Sequence, residues 1–248
     1  MYNGYVILVA RVKGKGLSFS PYEFDPKEPR VTKVTITGSK SYEIHSTVYF
    51  KNVENSGIGK ALAVKVVKKA LDRIAYKYLS SIDNAEILTE QFNPINPQSG
   101  GPQLGPLTAC GIGHYDPPQP VNIDASALKL VLEQTTSLGE RYYGFLRSAC
   151  QSTSPVEEFM HLYHILLMIF KDKQVEVEAF IIQENPSMPL QDRLHPQGKK
   201  SKETVYTRLR NEFAHTRPEV NLDNTKEQMV TRVSELRNLT KRAIELHS

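Results

Sequence analysis

The chain has 248 residues, a formal net charge of +4, 40% hydrophobic residues and 23% charged residues, which is typical of globular proteins. The mild charge excludes nucleic-acid binding by the overall field of the molecule, so such binding would need a local basic patch. The two cysteines, Cys110 and Cys150, exclude a disulfide framework and a CxxC pair for zinc or redox chemistry.

Residues 1–92 are expected to form a small domain of strands and one helix. An apolar run over residues 5–12 is typical of a buried strand, and apolar residues alternate with polar ones over residues 31–38 and 44–50. From residue 59 to 79 the apolar residues recur every four positions, with lysines opposite. This period predicts an amphipathic helix that packs on the strands.

Residues 93–122 break these patterns. Seven of the fifteen prolines and five glycines fall in this stretch. A segment of this length without periodicity is typical of a linker or a large surface loop. We therefore expect the boundary between two domains here.

Residues 123–248 have helical periodicity almost throughout and predict an all-α bundle. One helix should begin at Ser154 and Pro155, because serine is a favoured cap and proline is favoured at the first helical position. A polar loop is expected over residues 195–203, and the last helix should start near Asn224. Together the two domains make an α+β protein.

The ends and apolar runs of the chain predict its location. The first ten residues lack the basic segment of a signal peptide. The apolar run over residues 162–170 is too short to span a bilayer and is flanked by charge. We expect a cytoplasmic protein that does not enter membranes.

The segment RLRNEFAHTRP, residues 208–218, places polar residues on the helix before the last one. At about 100° per residue, Val205, Leu209 and Phe213 fall in one stripe that should face the core. Asn211 and His215 share the opposite face. Arg210 lies on the flank of the same helix.

These residue types can process a phosphodiester. A histidine exchanges protons near neutral pH, and an arginine can hold a phosphate with paired donors. Together His215 and Arg210 suffice for metal-independent attack of an RNA 2′-hydroxyl on its phosphate. Because the two side chains diverge on one helix, a second copy across a two-fold axis would complete the site. The same residues can instead bond the last carbonyls of the helix, which is the common role of such residues.

The surrounding charge favours an anionic ligand. Between Arg193 and Arg217 there are seven basic residues and two acidic ones. We expect the nucleic-acid contacts to come from five of the basic residues: Lys199, Lys200, Lys202, Arg208 and Arg217.

The segment RNEFAH, residues 210–215, resembles the R-N-x-x-x-H form of the HEPN motif. HEPN domains are helical bundles that carry this motif on a late helix, and the resemblance covers roughly residues 123–248. The stretch over residues 203–229 resembles more closely the methylamine-utilisation protein J family and the ApeA-like HEPN proteins. The resemblance implies a homodimer, a catalytic pair Arg210 and His215 with Asn211 in support, and neither metal nor cofactor.

Two alternatives remain open. Some HEPN proteins have no shown nuclease activity, so the chain could be a non-catalytic accessory protein linked to methylamine utilisation, with a protein partner. Two E-x-x-H pairs, Glu158 with His161 and Glu212 with His215, could also contribute to a di-iron carboxylate site. That arrangement would need four helices in register, and chance pairs are common in helical chains.

Overall fold

The computed structural model describes residues 1–14, 16–38, 42–96, 102–104, 120–133, 139–193, 201–215 and 220–247. Over these residues the chain is a mixed α/β protein, with a strand-rich first part and a second part made mainly of helices. It divides into two compact units, Met1–Thr135 and Thr136–Ser248. Within the described ranges, no helix has both the length and the apolar character needed to cross a membrane.

The first unit is built on a mainly antiparallel sheet. Its described strands and helices are β1 (Tyr2–Lys13), β2 (Leu17–Phe24), β3 (Val31–Gly38), β4 (Glu43–Val53), α1 (Ser56–Tyr78), β5 (Ser81–Ile82), β6 (Glu86–Pro94), β7 (Gln103–Leu104), β8 (Val121–Asn122) and α2 (Ala125–Glu133). The described strands pair in the order β7-β6-β1-β4-β3-β2-β8, and β5 pairs with β1. β1 and β4 are therefore central strands.

Alternation gives this sheet one apolar face, which α1 and α2 cover. Val6 and Leu8 of β1 and Val48 of β4 are fully buried and share one hydrophobic core with apolar residues of both helices. Asn55 starts α1 because its side-chain oxygen accepts the N–H of Ile58 at 2.9 Å. The predicted amphipathic helix is present, and its apolar stripe faces the sheet as expected.

Phe92 of β6 fills the space between the sheet and α1. Its ring is fully buried and lies close to two glycines. A Cβ added at Gly59 of α1 would lie 2.4 Å from the ring, and one at Gly4 of β1 would lie 2.9 Å from it. Both positions therefore need glycine for close approach rather than for backbone freedom.

The opposite face of the sheet carries a row of polar and aromatic side chains. Gln91, Tyr5, Tyr49 and Lys33 are register partners across β6, β1, β4 and β3. The Tyr5 hydroxyl donates to Gln91 Oε1 at 3.1 Å, and the two tyrosine rings lie 6.3 Å apart. The Lys33 ammonium lies 4.8 Å from the Tyr49 ring centre. Such cross-strand contacts favour one register of the strands.

Helix α2 belongs to the first unit, whereas the sequence analysis assigned it to the C-terminal bundle. Leu128 and Leu132 are buried in the core of the first unit. The Arg73 guanidinium of α1 donates to the Leu132 carbonyl at 2.5 Å. The division between the units therefore falls after α2 rather than before it. Helical period predicted the element correctly but carries no information on which core it joins.

The second unit contains α3 (Glu140–Cys150), α4 (Pro155–Ile169), α5 (Gln174–Glu184), β9 (Leu190–Arg193), β10 (Ser201–Thr204), α6 (Val205–Ala214) and α7 (Leu222–His247). Helix α4 packs along α7, and Leu162, Leu166, Leu236 and Ala243 are fully buried there. The core of this unit is therefore a helix-to-helix interface, as the periodicity predicted.

Two local expectations for this unit were wrong. The unit is not all-α, because β9 and β10 form an antiparallel ladder from Ser201 with Arg193 to Thr204 with Leu190. Part of the polar stretch expected as a loop is therefore a strand. Helix α4 does begin at Pro155, but the Ser154 side chain makes no capping hydrogen bond.

Candidate functional site

Helix α6 is anchored at its start by a chain of buried hydroxyl groups. The Thr204 side chain caps the helix by accepting the Thr207 N–H at 3.3 Å. The two threonine Oγ1 atoms lie 3.1 Å apart, and Thr207 Oγ1 lies 2.8 Å from the Tyr163 hydroxyl of α4. All three side chains are fully buried. The helix that carries the motif is therefore fixed to α4 by polar contacts that have little competition from water.

The Tyr163 hydroxyl remains protonated at neutral pH. Burial is the main cause that raises its pKa to about 12, and the hydrogen bond with Thr207 acts against it. The nearby carboxylates of Glu178 and Glu203 raise this pKa further, while the Arg210 guanidinium lowers it. The hydroxyl is therefore kept in its neutral form mainly by burial, and the carboxylates and the guanidinium act on its pKa in opposite directions.

Arg210 is oriented by its neighbour along the helix. Its Nη1 donates to Asn211 Oδ1 at 3.1 Å, and Asn211 Nδ2 donates to Glu203 Oε2 at 3.4 Å. Arg210 and Asn211 are half-buried, whereas only 6% of Glu203 is exposed. The structure thus brings two of the predicted catalytic residues together, and it adds Glu203, which the sequence analysis did not select.

His215 lies just outside the helix rather than on its face. Helix α6 ends at Ala214, and His215 is its C-cap with φ of −123° and ψ of 92°. The His215 backbone N–H donates to the Asn211 carbonyl at 3.0 Å, and the residue is exposed. Of the predicted core stripe, Val205 and Leu209 are buried but Phe213 is only half-buried. The prediction that His215 shares a helical face with Asn211 was wrong, because the helix ends at Ala214.

Arg208 joins α6 to α7. Its Nη1 bonds Glu212 Oε1 at 3.0 Å, and its Nη2 donates to Gln228 Oε1 at 2.6 Å. Glu212 Oε2 accepts from the Thr225 hydroxyl at 2.8 Å. The guanidinium was expected to contact a nucleic-acid backbone, but in this structure it serves an internal contact. A helical wheel places Glu212 on the same face as Arg208, but it could not reveal Gln228 and Thr225, which lie on α7.

The basic cluster is described at two of its five positions. Lys202 is an exposed residue of β10, and Arg208 has the internal contacts given above. Lys199, Lys200 and Arg217 lie outside the described residues.

The two E-x-x-H pairs have other partners. Glu158 Oε1 accepts from Arg237 Nε at 2.7 Å and from Arg237 Nη2 at 2.5 Å, and His161 Nδ1 lies 3.2 Å from the Ser152 hydroxyl. Glu212 is bound by Arg208 and Thr225. In the part of the chain that the structure describes, no group of three or more His, Cys, Asp or Glu side chains is placed to hold a metal ion.

The structure thus gives an oriented Arg210 guanidinium and an exposed His215, two residue types that can bind a phosphate and exchange a proton. Relatives could not refine this assignment: comparison with protein-family models, with curated proteins and with solved structures found no match to the chain.

Proposed function

We propose that the second unit is a HEPN-like, RNA-directed domain and a metal-independent endoribonuclease whose site is completed by a second copy of the chain. The observation that carries the proposal is the held orientation of Arg210, five residues before an exposed His215 that caps the end of the same helix. An oriented guanidinium is prepared for a phosphate without further ordering.

The residues have distinct roles in the proposed reaction. One His215 of a dimer removes the proton of a 2′-hydroxyl, and that oxygen attacks the adjacent phosphorus. The bond to the 5′-oxygen breaks, and the second His215 gives that leaving oxygen a proton. Arg210 neutralises the charge that develops on the phosphoryl oxygens, and Asn211 keeps the guanidinium in place. Lys202, with Lys199, Lys200 and Arg217, would contact the RNA backbone.

The test is cleavage of mixed RNA in EDTA by the parent and by the His215→Ala and Arg210→Ala variants, at matched melting temperature. We expect cleavage by the parent alone, with 2′,3′-cyclic phosphate ends, and a dimer in sedimentation analysis. Equal cleavage by the parent and by His215→Ala would contradict the proposal. Cleavage that disappears in EDTA would contradict it as well.

A second candidate is a non-catalytic interaction protein, of the kind that the methylamine-utilisation resemblance implies. It is favoured by an apolar stripe on α5, where Val175, Ala179 and Ile182 are exposed at helical spacing. Val175 is 70% and Ile182 is 38% exposed, and apolar side chains at such spacing are typical of a helix that meets a partner. This candidate predicts a stable protein partner whose binding is indifferent to His215→Ala but is lost in Val175→Asp.

A further inference from the structure

We infer that Glu203 is a positioning residue for Arg210 and that it acts through the Asn211 amide. The inference concerns the same site as the proposed cleavage reaction. The part of its test that measures cleavage rests on that proposed function. Glu203 is linked to the guanidinium through Asn211, which accepts from Arg210 and donates to Glu203. Its effect would be to keep the guanidinium in the orientation that a phosphate requires.

The chemistry of the amide explains why a carboxylate is needed. An asparagine side chain has one accepting end and one donating end, and a carboxylate only accepts. Glu203 Oε2 therefore selects the Nδ2 end, at 3.4 Å, which turns Oδ1 toward Arg210 Nη1 at 3.1 Å. In the flipped amide, two donors would face each other at Arg210, and two acceptors would face each other at Glu203. The carboxylate thus determines which end of Asn211 the guanidinium meets.

The fold holds the Glu203 carboxylate in place. Glu203 lies in β10, where it is the register partner of Gln191 on β9. The next residue, Thr204, is the fully buried cap of α6. The backbone on both sides of the carboxylate is thus fixed, by the ladder before it and by the helix after it. With 6% of the residue exposed, water competes little for the carboxylate.

Loss of this contact should affect the chemical step more than RNA binding. Small misplacements of a group that acts in the transition state can lower the rate by about 100-fold. We expect Glu203→Met, which has similar length but accepts poorly, to lower kcat at least tenfold with KM within about twofold of the parent. Glu203→Gln can still accept through its side-chain oxygen, and we expect it to recover most of kcat.

The matched control is Glu158→Gln. Glu158 is 7% exposed, against 6% for Glu203, and it binds Arg237 of α7 rather than the motif. This variant should lower the melting temperature and leave kcat unchanged. It separates a general loss of stability from a loss of orientation at Arg210.

A second readout does not depend on cleavage. The guanidinium nitrogens of Arg210, assigned by Arg210→Lys, are followed by ¹⁵N–¹H spectroscopy in the parent and the variants. We expect resolved signals, from hindered rotation, in the parent and in Glu158→Gln, and their collapse in Glu203→Met. An Arg210 signal that is unchanged in Glu203→Met would overturn the inference, whatever the activity.

The two readouts together distinguish the failure of this inference from the failure of the proposed function. Signal collapse with a fall in kcat supports the positioning role. Signal collapse in a protein whose parent cleaves no RNA supports the contact and contradicts the nuclease proposal. Signal collapse with kcat unchanged in an active parent overturns the positioning role.

Discussion

The buried hydroxyl chain at the start of α6 should make a measurable contribution to stability. Tyr163→Phe removes one hydroxyl but leaves Thr207 Oγ1 beside Thr204 Oγ1 at 3.1 Å. Its cost should be about 1 kcal/mol, which is typical of one lost hydrogen bond. Thr207→Val leaves the buried Tyr163 hydroxyl without its 2.8 Å partner, so its cost should be higher, about 2 kcal/mol.

The double variant tests whether these two groups interact directly. Once Thr207 is valine, loss of the Tyr163 hydroxyl removes only an unsatisfied group. The double variant should therefore cost about 2 kcal/mol, less than the sum of the two single variants, which gives a coupling energy of about 1 kcal/mol. Urea unfolding followed by far-ultraviolet circular dichroism measures the four free energies. Additivity within about 0.3 kcal/mol would refute the reasoning.

The same hydroxyl predicts a loss of stability at alkaline pH. Burial raises the pKa of Tyr163 from 10.0 to about 12, so between these values the folded state keeps a proton that the unfolded state releases. The stabilising contribution is complete below pH 10 and is lost as the pH rises toward 12, by up to about 3 kcal/mol. The stability advantage of the parent over Tyr163→Phe should therefore shrink and then reverse between pH 9 and pH 11.5. A constant difference would contradict the pKa shift.

Three further changes, the first with a control variant, should separate packing effects from site effects. Gly59→Ala should destabilise the first unit by about 1 to 2 kcal/mol. The added Cβ would lie 2.4 Å from the Phe92 ring, and this clash should outweigh the better helix propensity of alanine. Gly57→Ala, where the nearest atom is the capping oxygen of Asn55 at 3.2 Å, should cost less than Gly59→Ala, because this side chain can shift more easily than the buried ring. Ser46→Ala should leave urea stability unchanged or raise it by up to about 1 kcal/mol, since the Ser46 hydroxyl is buried and has no hydrogen-bond partner among the described residues. A clear loss of stability would reveal an unrecognised contact. Arg208→Ala should destabilise the second unit by about 1 to 2 kcal/mol, because it leaves the half-buried Glu212 carboxylate without its ion pair. If this variant instead bound RNA more weakly at unchanged stability, Arg208 would contact the RNA backbone.

The sequence predicted the elements better than it predicted their partners. The period of residues 59–79 located α1 to within a few residues of Ser56–Tyr78. The period of α2 was equally clear, yet that helix packs in the other unit, because an apolar stripe specifies burial and not the surface that buries it. The same limit explains Arg208. Its charge suggests an anionic ligand. In the structure, α7 packs beside α6, where Gln228 accepts from the Arg208 guanidinium and Thr225 donates to Glu212.

The candidate site was predictable in part. Residue type and spacing indicate Arg210 and His215 as candidates, and the resemblance to the HEPN motif implies a role for both and adds Asn211. The sequence does not single out Glu203, because it lies in a polar stretch that is typical of a loop, whereas the structure pairs it with β9 and buries it. A buried carboxylate that precedes a threonine cap would be a useful signal in similar sequences.

The junction between β10 and α6 has a consequence for the recognition of distant relatives. The strand ends at Thr204 and the helix begins at Val205, with no residue between them. One inserted residue would turn the helix by about 100° relative to the strand and would carry Asn211 away from Glu203. Proteins that share this device must therefore keep the interval of eight positions from the acidic residue to the amide without gaps. The pattern E-T-x-x-T-x-x-R-N, read from residue 203, is then a stricter search criterion than the arginine-to-histidine spacing alone.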